Sequence, residues 1–250
     1  MLLLAVDTAG ATGSVLLAQG TSSDALLPLG AMDLAGRAYS VQMFPAIAAL
    51  LQQHHATLAD VDGFVVVRGP GSFTGLRVGL GAVKGLAEAT GKPVIALSRL
   101  AVMASLQPQA PLVHAILDAG RGEFYHGTYR DAGWECVQES LETAETLRAA
   151  LAASLAAAPA AIAGVCVVTG PAEAAVLSGP FPGVLQGQLP GQGEITVVHP
   201  TAGDILPLAQ RAWRQQRFAD VALLDANYLR RSDAELFPKH KLAAAHPQGR

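Results

Sequence analysis

Cysteine is nearly absent: the 250-residue chain contains two, Cys136 and Cys166. With no paired spacing between them, a disulfide-stapled scaffold and a four-thiolate zinc site are excluded, and a reducing, cytoplasmic setting is expected. Charge is scarce as well. Charged residues make up 15% of the chain and hydrophobic ones 51%, so packing rather than ion pairing should dominate stability. The net charge of −3 argues against this chain alone gripping a polyanion, because phosphate contacts need clustered Lys and Arg. Eight of the 17 basic residues fall in the last 50 positions. Of these, Arg211, Arg214 and Arg217 would share one helix face, a pattern read here as solvated surface. Long hydrophobic runs are missing too. The opening MLLLAVD is apolar only as far as Asp7, too short for the hydrophobic region of a signal peptide or for a bilayer span. No membrane association is expected. The seven histidines include no i, i+4 pair that could clasp a metal on one helix face.

What is present reads as alternating strands and helices. Residues 2–6 are expected as a buried strand, 7–13 as a turn and 14–18 as a returning strand. A helix over about 40–54 carries apolar residues almost all round, and Pro45 places its start near Phe44. A strand at 64–68, a Gly-Pro-Gly loop at 69–71, a helix at 74–90 stopped by Gly91 and a strand at 94–97 form a right-handed βαβ unit. The pattern then restarts, with a strand at 112–117, a turn at 118–122 and a strand at 123–129. AVDTAGATGSVLLA and ILDAGRGEFYHGTY thus place Asp7 and Asp118 alike, which predicts an internal duplication into two α/β lobes. Residues 140–163 are expected as helix, 165–168 as a strand ending in Thr169-Gly170-Pro171, 178–196 as loop, 203–217 as a last helix, and the tail from 240 as disordered. Domain limits follow: 1–107 and 108–202 for the lobes, 203–239 for a segment packing back on them, and 240–250 for the tail.

The loop before the 74–90 helix has two readings. Outward N–H groups, a helix dipole and the hydroxyls of Ser72 and Thr74 could cradle phosphate, although the P-loop pattern is missing. The plainer reading, preferred here, is a tight turn capped by Ser72 or Thr74. Within the helix itself, Gly75, Gly79, Gly81 and Gly85 each cost about 1 kcal/mol relative to alanine. Close approach of another helix would explain them, and both the 40–54 helix and the same helix of a second subunit are expected, as a small helical layer shared across an interface.

The segment RGPGSFTGLRVGLGAVKGLA at 68–87 resembles the signature of the TsaB (YeaZ) family, smaller bacterial relatives of the TsaD threonylcarbamoyl transferases. The two hairpins and DANYLRR at 225–231 resemble that family as well, so the likeness covers the first 130 residues well and the middle poorly. It implies an α/β, two-lobed ASKHA fold (actin/Hsp70-like, ribonuclease H-like) with a truncated second lobe. It further implies a non-catalytic subunit that partners TsaD and TsaE in transferring a threonylcarbamoyl group to the adenosine beside the anticodon. The tRNA, one reading codons that start with A, would be met only through the complex. In isolation the chain is expected to be a homodimer. Carried over, the interface would use Val41, Phe44, Ile47, Leu51, Gly75, Arg77, Val78, Gly79, Ala82 and Gly85. The family's TsaD relatives hold a metal with a His-x-x-x-His pair, and the corresponding positions here are Ser98 and Val102, so neither a metal nor a catalytic residue is expected. Where many relatives begin the first-lobe helix with His-Ser, this chain has Tyr39-Ser40.

Other readings compete. An ATP-dependent small-molecule kinase of the same fold would use Asp7 and Asp118 for Mg²⁺, with Thr8, Thr12, Gly120 and Gly122 around phosphate; Gly69, Gly71, Ser72 and Thr74 of the glycine loop would complete a degenerate nucleotide site. Against it, Arg121 and Glu123 stand where small residues would be wanted, and each aspartate could simply cap its own turn. ATP or ADP at the interface of the complex is the cofactor the resemblance allows. An M22-type peptidase is the third reading, weakened by the missing metal pair.

Overall fold

The computed structural model describes residues 1–21, 24–35, 38–157, 165–169, 194–197 and 200–230. The expected tail at 240–250, the loop at 178–193, the end of the Ala-rich helix at 158–163 and Gly170-Pro171 lie outside the described residues. The first half contains β1 (Leu2–Asp7), β2 (Gly13–Gln19), β3 (Leu27–Leu34), α1 (Tyr39–Gln53), β4 (Gly63–Val67), α2 (Phe73–Thr90), β5 (Val94–Leu97) and α3 (Arg99–Ser105). The second half follows with β6 (Leu112–Gly120), β7 (Glu123–Arg130), β8 (Glu135–Thr143), α4 (Ala144–Ala157), β9 (Val165–Thr169), β10 (Glu194–Val197) and α5 (Leu206–Arg214).

The two halves repeat one plan. The first sheet runs β3-β2-β1-β4-β5 and the second β8-β7-β6-β9-β10. In each, three antiparallel strands are followed by two parallel ones. Strand alternation then sorts side chains into layers. Leu4, Val6, Phe64 and Val66 turn to one face of the first sheet, where α1 and α2 cover them with Met43, Leu50, Leu80 and Val83. Leu3, Ala5, Val65 and Val67 turn to the other, meeting α3, α5 and the inner face of the second sheet through Val113, Ala115 and Leu117. Ile116 and Phe124 face outward again and are covered by Leu147 and Leu151 of α4. The result is helix, sheet, helix, sheet, helix: the two-lobed α/β architecture expected of an ASKHA fold.

Several expectations need correction. α1 runs from Tyr39 to Gln53, matching the expected 40–54, but Pro45 lies inside it and does not move its start toward Phe44. Proline there withholds the N–H that would reach the Val41 carbonyl, and Val41 is on the solvent side, where water can take that acceptor. Residues 140–143 close β8 instead of opening a helix, 194–197 form β10 within the expected loop, and the last helix shortens to α5 behind a 3-10 turn at Ala202–Ile205. Among strands and helices not foreseen, β3 and β8 are sheet edges whose residues are mostly exposed, so neither shows the apolar alternation of a half-buried strand. α3 is short and buried nearly all round, which leaves no amphipathic period to read. No described helix is long and apolar enough to cross a membrane.

Candidate functional site

The two aspartate turns face a common cleft. Asp7 Oδ1 accepts the Ala9 N–H at 2.8 Å, and Asp118 Oδ1 accepts the Gly120 N–H at 2.7 Å, the same i to i+2 cap in each lobe. The first turn spans five residues between β1 and β2; the second is the tight Arg121-Gly122 turn, with both residues at positive φ. Between them opens a cleft of about 520 Å³, with Gly71, Ser72, Asp118 and Gly120 on its walls. Asp7, Thr8, Thr12, Gly69 and Thr74 are not part of this lining. Burial pushes the Asp7 carboxyl up, against the opposing pull of the Ala9 N–H and the Arg99 guanidinium.

Two N–H donors at the end of the glycine loop are used within the chain. Ser72 N–H reaches Ala9 O at 2.8 Å, and Ser72 Oγ accepts the Gly75 N–H at 3.2 Å, so Ser72 is the N-cap of α2. A Cβ on Gly71 would stand 2.1 Å from the Ala9 carbonyl oxygen, so only glycine lets the loop lie against the first turn. Thr8 is buried, and its hydroxyl donates to Gly75 O at 2.7 Å, tying the turn to the helix.

Two further cleft residues escaped the sequence reading. Tyr39, at the start of α1, donates its hydroxyl to Gly10 O at 3.0 Å, and burial together with the Asp7 charge raises its pKa. Arg99 opens α3, its backbone N–H on Gly69 O at 2.7 Å and its guanidinium beside Ala9 O at 3.5 Å. The departure at Tyr39-Ser40 was the one visible signal for the first; Arg99 carried none, because α3 itself was unforeseen.

The expected interface residues divide. Val41 and Phe44 stand out from α1 at 74% and 52% exposure, with Arg77 and Gly85 exposed on α2 and Val78 partly so. Ile47, Leu51, Gly75, Gly79 and Ala82 turn into the chain's own interior. Gly79 in particular faces Thr8 and not a helix: a Cβ there would lie 2.3 Å from Thr8 Oγ1. Of the four glycines within α2, Gly81 and Gly85 have nothing within 4 Å of the position a Cβ would take.

At the metal-pair positions of the TsaD relatives, Val102 is packed in the core at 3% exposure and Ser98 donates its hydroxyl to Glu139. Tyr129 and Asn227 also donate to that carboxylate, and burial followed by the Glu139 charge drives the Tyr129 pKa far upward. Among the described residues no group of three or more His, Cys, Asp or Glu is placed to hold a metal.

Asn227 belongs to a C-terminal strap that draws the resembling motifs together. Ala219 N–H bonds Val94 O at 2.7 Å, Lys84 Nζ reaches Leu224 O at 3.0 Å, and Asn227 N–H reaches Arg68 O at 2.7 Å. Arg77 lies over the Phe73 ring at 3.7 Å and donates to Tyr228 OH at 3.1 Å, while Arg230 donates to Gly120 O at 2.9 Å and pairs with Glu123. The 68–87 segment, the second hairpin and Asp225–Arg230 are one connected structure.

Residues 33–163, just over half of the chain, match the family described as "TsaD: tRNA N6-adenosine threonylcarbamoyltransferase". The tRNA threonylcarbamoyladenosine biosynthesis protein TsaB of Escherichia coli is 34% identical over 133 residues, 52% of this chain and 55% of that protein. TsaB of Haemophilus influenzae is 39% identical over 127 residues, 49% and 51% respectively. The solved structure of YeaZ from Pseudomonas aeruginosa superposes with a TM-score of 0.68 at 28% identity, over 91% of this chain and all of that one. The chain belongs to the TsaB (YeaZ) family. It spans about half the length of the curated TsaB relatives it matches, and the residues 33–163 matched by the family contain α1, β4, α2, β5, α3 and the second hairpin.

Proposed function

We propose that this chain is a non-catalytic subunit of the machinery that makes tRNA threonylcarbamoyladenosine, and that it supports TsaD and TsaE through the outer face of α1 and α2. TsaB family membership carries the reading. Its support from geometry is the face itself: Val41 and Phe44 are exposed apolar side chains one turn apart on α1, and α2 beside it carries the open glycines Gly81 and Gly85. Exposed apolar groups cost little when isolated, but a pair beside a bare helix gives a partner helix both contact area and room. The same face would serve a homodimer when the partner is missing. tRNA would be met through the complex, in keeping with the net charge of −3.

Reconstitution with TsaD and TsaE of the same organism tests this. Modification of tRNA is expected to need the chain, and Phe44→Glu is expected to lower subunit affinity by roughly a hundredfold, since burying an unpaired carboxylate costs several kcal/mol. Full-rate modification without the chain would overturn the reading. Unchanged affinity of a folded Phe44→Glu variant, measured by calorimetry, would overturn the choice of face.

A further inference from the structure

A second cavity, of about 610 Å³, lies where the strand ends of the first sheet meet α5, the strap and the β7–β8 hairpin. Neither the α1–α2 face nor the aspartate cleft shares its lining. Its size is that of small-molecule pockets, which run from about 300 to 1,000 Å³. Its apolar lining comes from Ile95, Leu97, Ala101, Leu208, Ala212 and Leu223. Its lining also carries charge of both signs, and the two signs are not in the same state. Glu139 already accepts from Ser98, Tyr129 and Asn227. Asp220 Oδ1 accepts the Ala222 N–H at 2.9 Å, and Asp225 Oδ1 the Ala226 N–H at 2.7 Å. Glu139 is thus engaged by three side-chain donors, and Asp220 and Asp225 by backbone N–H groups on Oδ1. Arg68 and Arg217, by contrast, have no carboxylate partner among the described residues; Arg217 rests on the Trp134 ring at 4.6 Å, and Arg68 lies close enough to Cys136 to oppose the rise in its pKa.

We propose that this cavity binds a small organic anion, its carboxylate or phosphate ester paired with Arg68 or Arg217 and its apolar body against Leu97, Leu208 and Leu223. A planar guanidinium meets either headgroup with two parallel N–H donors. At Glu139 a cationic ligand would have to displace three donors, and a neutral ligand would gain no charge-assisted hydrogen bond from either guanidinium. The proposal is independent of the role in tRNA modification and stands or falls separately.

Three probes of similar shape separate the outcomes: 2-naphthoate, 1-naphthyl phosphate and the neutral 2-naphthylmethanol. Calorimetry on the full chain is expected to show at least one anionic probe binding about tenfold or more tighter than the alcohol, the scale of one charge-assisted hydrogen bond. The tighter of the two anions identifies the headgroup. At least one of Arg68→Gln and Arg217→Gln should lose that tenfold preference while keeping the melting temperature, as both side chains are exposed. Cys136 lines the cavity, so the bound anion should also slow its alkylation by iodoacetamide, read on its own peptide by mass spectrometry. Equal affinity for the alcohol, an unchanged preference in both arginine variants, unprotected Cys136, or no binding at millimolar probe would each overturn the proposal.

Discussion

His114 and His126 meet inside the second sheet, Nδ1 to Nε2 at 2.8 Å, with the Thr128 hydroxyl 3.3 Å from His114. Alternation with Leu112 and Ile116 marks His114 as a strand-face residue, expected to be half-buried, yet at 1% exposure it is fully enclosed. Its partner could not be read from sequence, because that depends on the register between β6 and β7, where Ile116 and not His114 stands opposite His126. Burial, aided by His126, lowers the His114 pKa to about 3, and burial lowers His126 as well against the raising effect of Glu142. A proton that the unfolded chain takes up below pH 6.5 is therefore refused by the folded one. The stability tied to this pair is complete above pH 6.5 and declines as pH falls, for His114 by up to about 1.4 kcal/mol per pH unit down to about pH 3. Urea midpoints are expected to drop between pH 7.5 and 5, and a His114→Leu/His126→Leu variant should show a shallower drop. The aspartate turns were more legible, since a cap from Asp to the residue two ahead is a local matter that needs no knowledge of the fold.

At the scale of elements, α2 shows how one sequence signal can hide two causes. Four mid-helix glycines read as room for a neighbouring helix, but Gly75 and Gly79 make room for Thr8 of the chain's own first turn, and only Gly81 and Gly85 face open space. Sequence spacing cannot tell these apart, because which side of α2 meets the sheet is fixed by packing. Substitution separates them. Gly79→Ala gains about 1 kcal/mol of helix propensity but drives a methyl to 2.3 Å from Thr8 Oγ1, and is expected to destabilise the fold by about 1–3 kcal/mol net. Gly81→Ala meets nothing and should stabilise the free chain by up to about 1 kcal/mol. Chemical denaturation of the two variants side by side should give opposite signs. The edges β3 and β8 were invisible for the reverse reason: an edge strand that buries little has no pattern to betray it.

For the whole molecule, the duplication was legible because each hairpin repeats its aspartate and glycines in order, and the two sheets do share one strand order. The strap was not legible. DANYLRR reads as a family resemblance, but nothing local says that Asn227 joins Arg68 to Glu139 or that Arg230 reaches across to Gly120 and Glu123. Since that ion pair is partly exposed, Arg230→Ala should cost only about 1 kcal/mol, yet it should free the second turn. Hydrogen exchange is expected to quicken at Arg121 and Gly122 while the amides of β1 stay protected. The beginning of the strap has another consequence. Ala219 sits on β5, the outermost strand of the first sheet, and occupies hydrogen-bonding groups that would otherwise be open to any passing strand. A chain cut short before Arg217 would lose more than a strap: it would bare a sticky border, so that its copies would tend to add to one another edge to edge and leave solution.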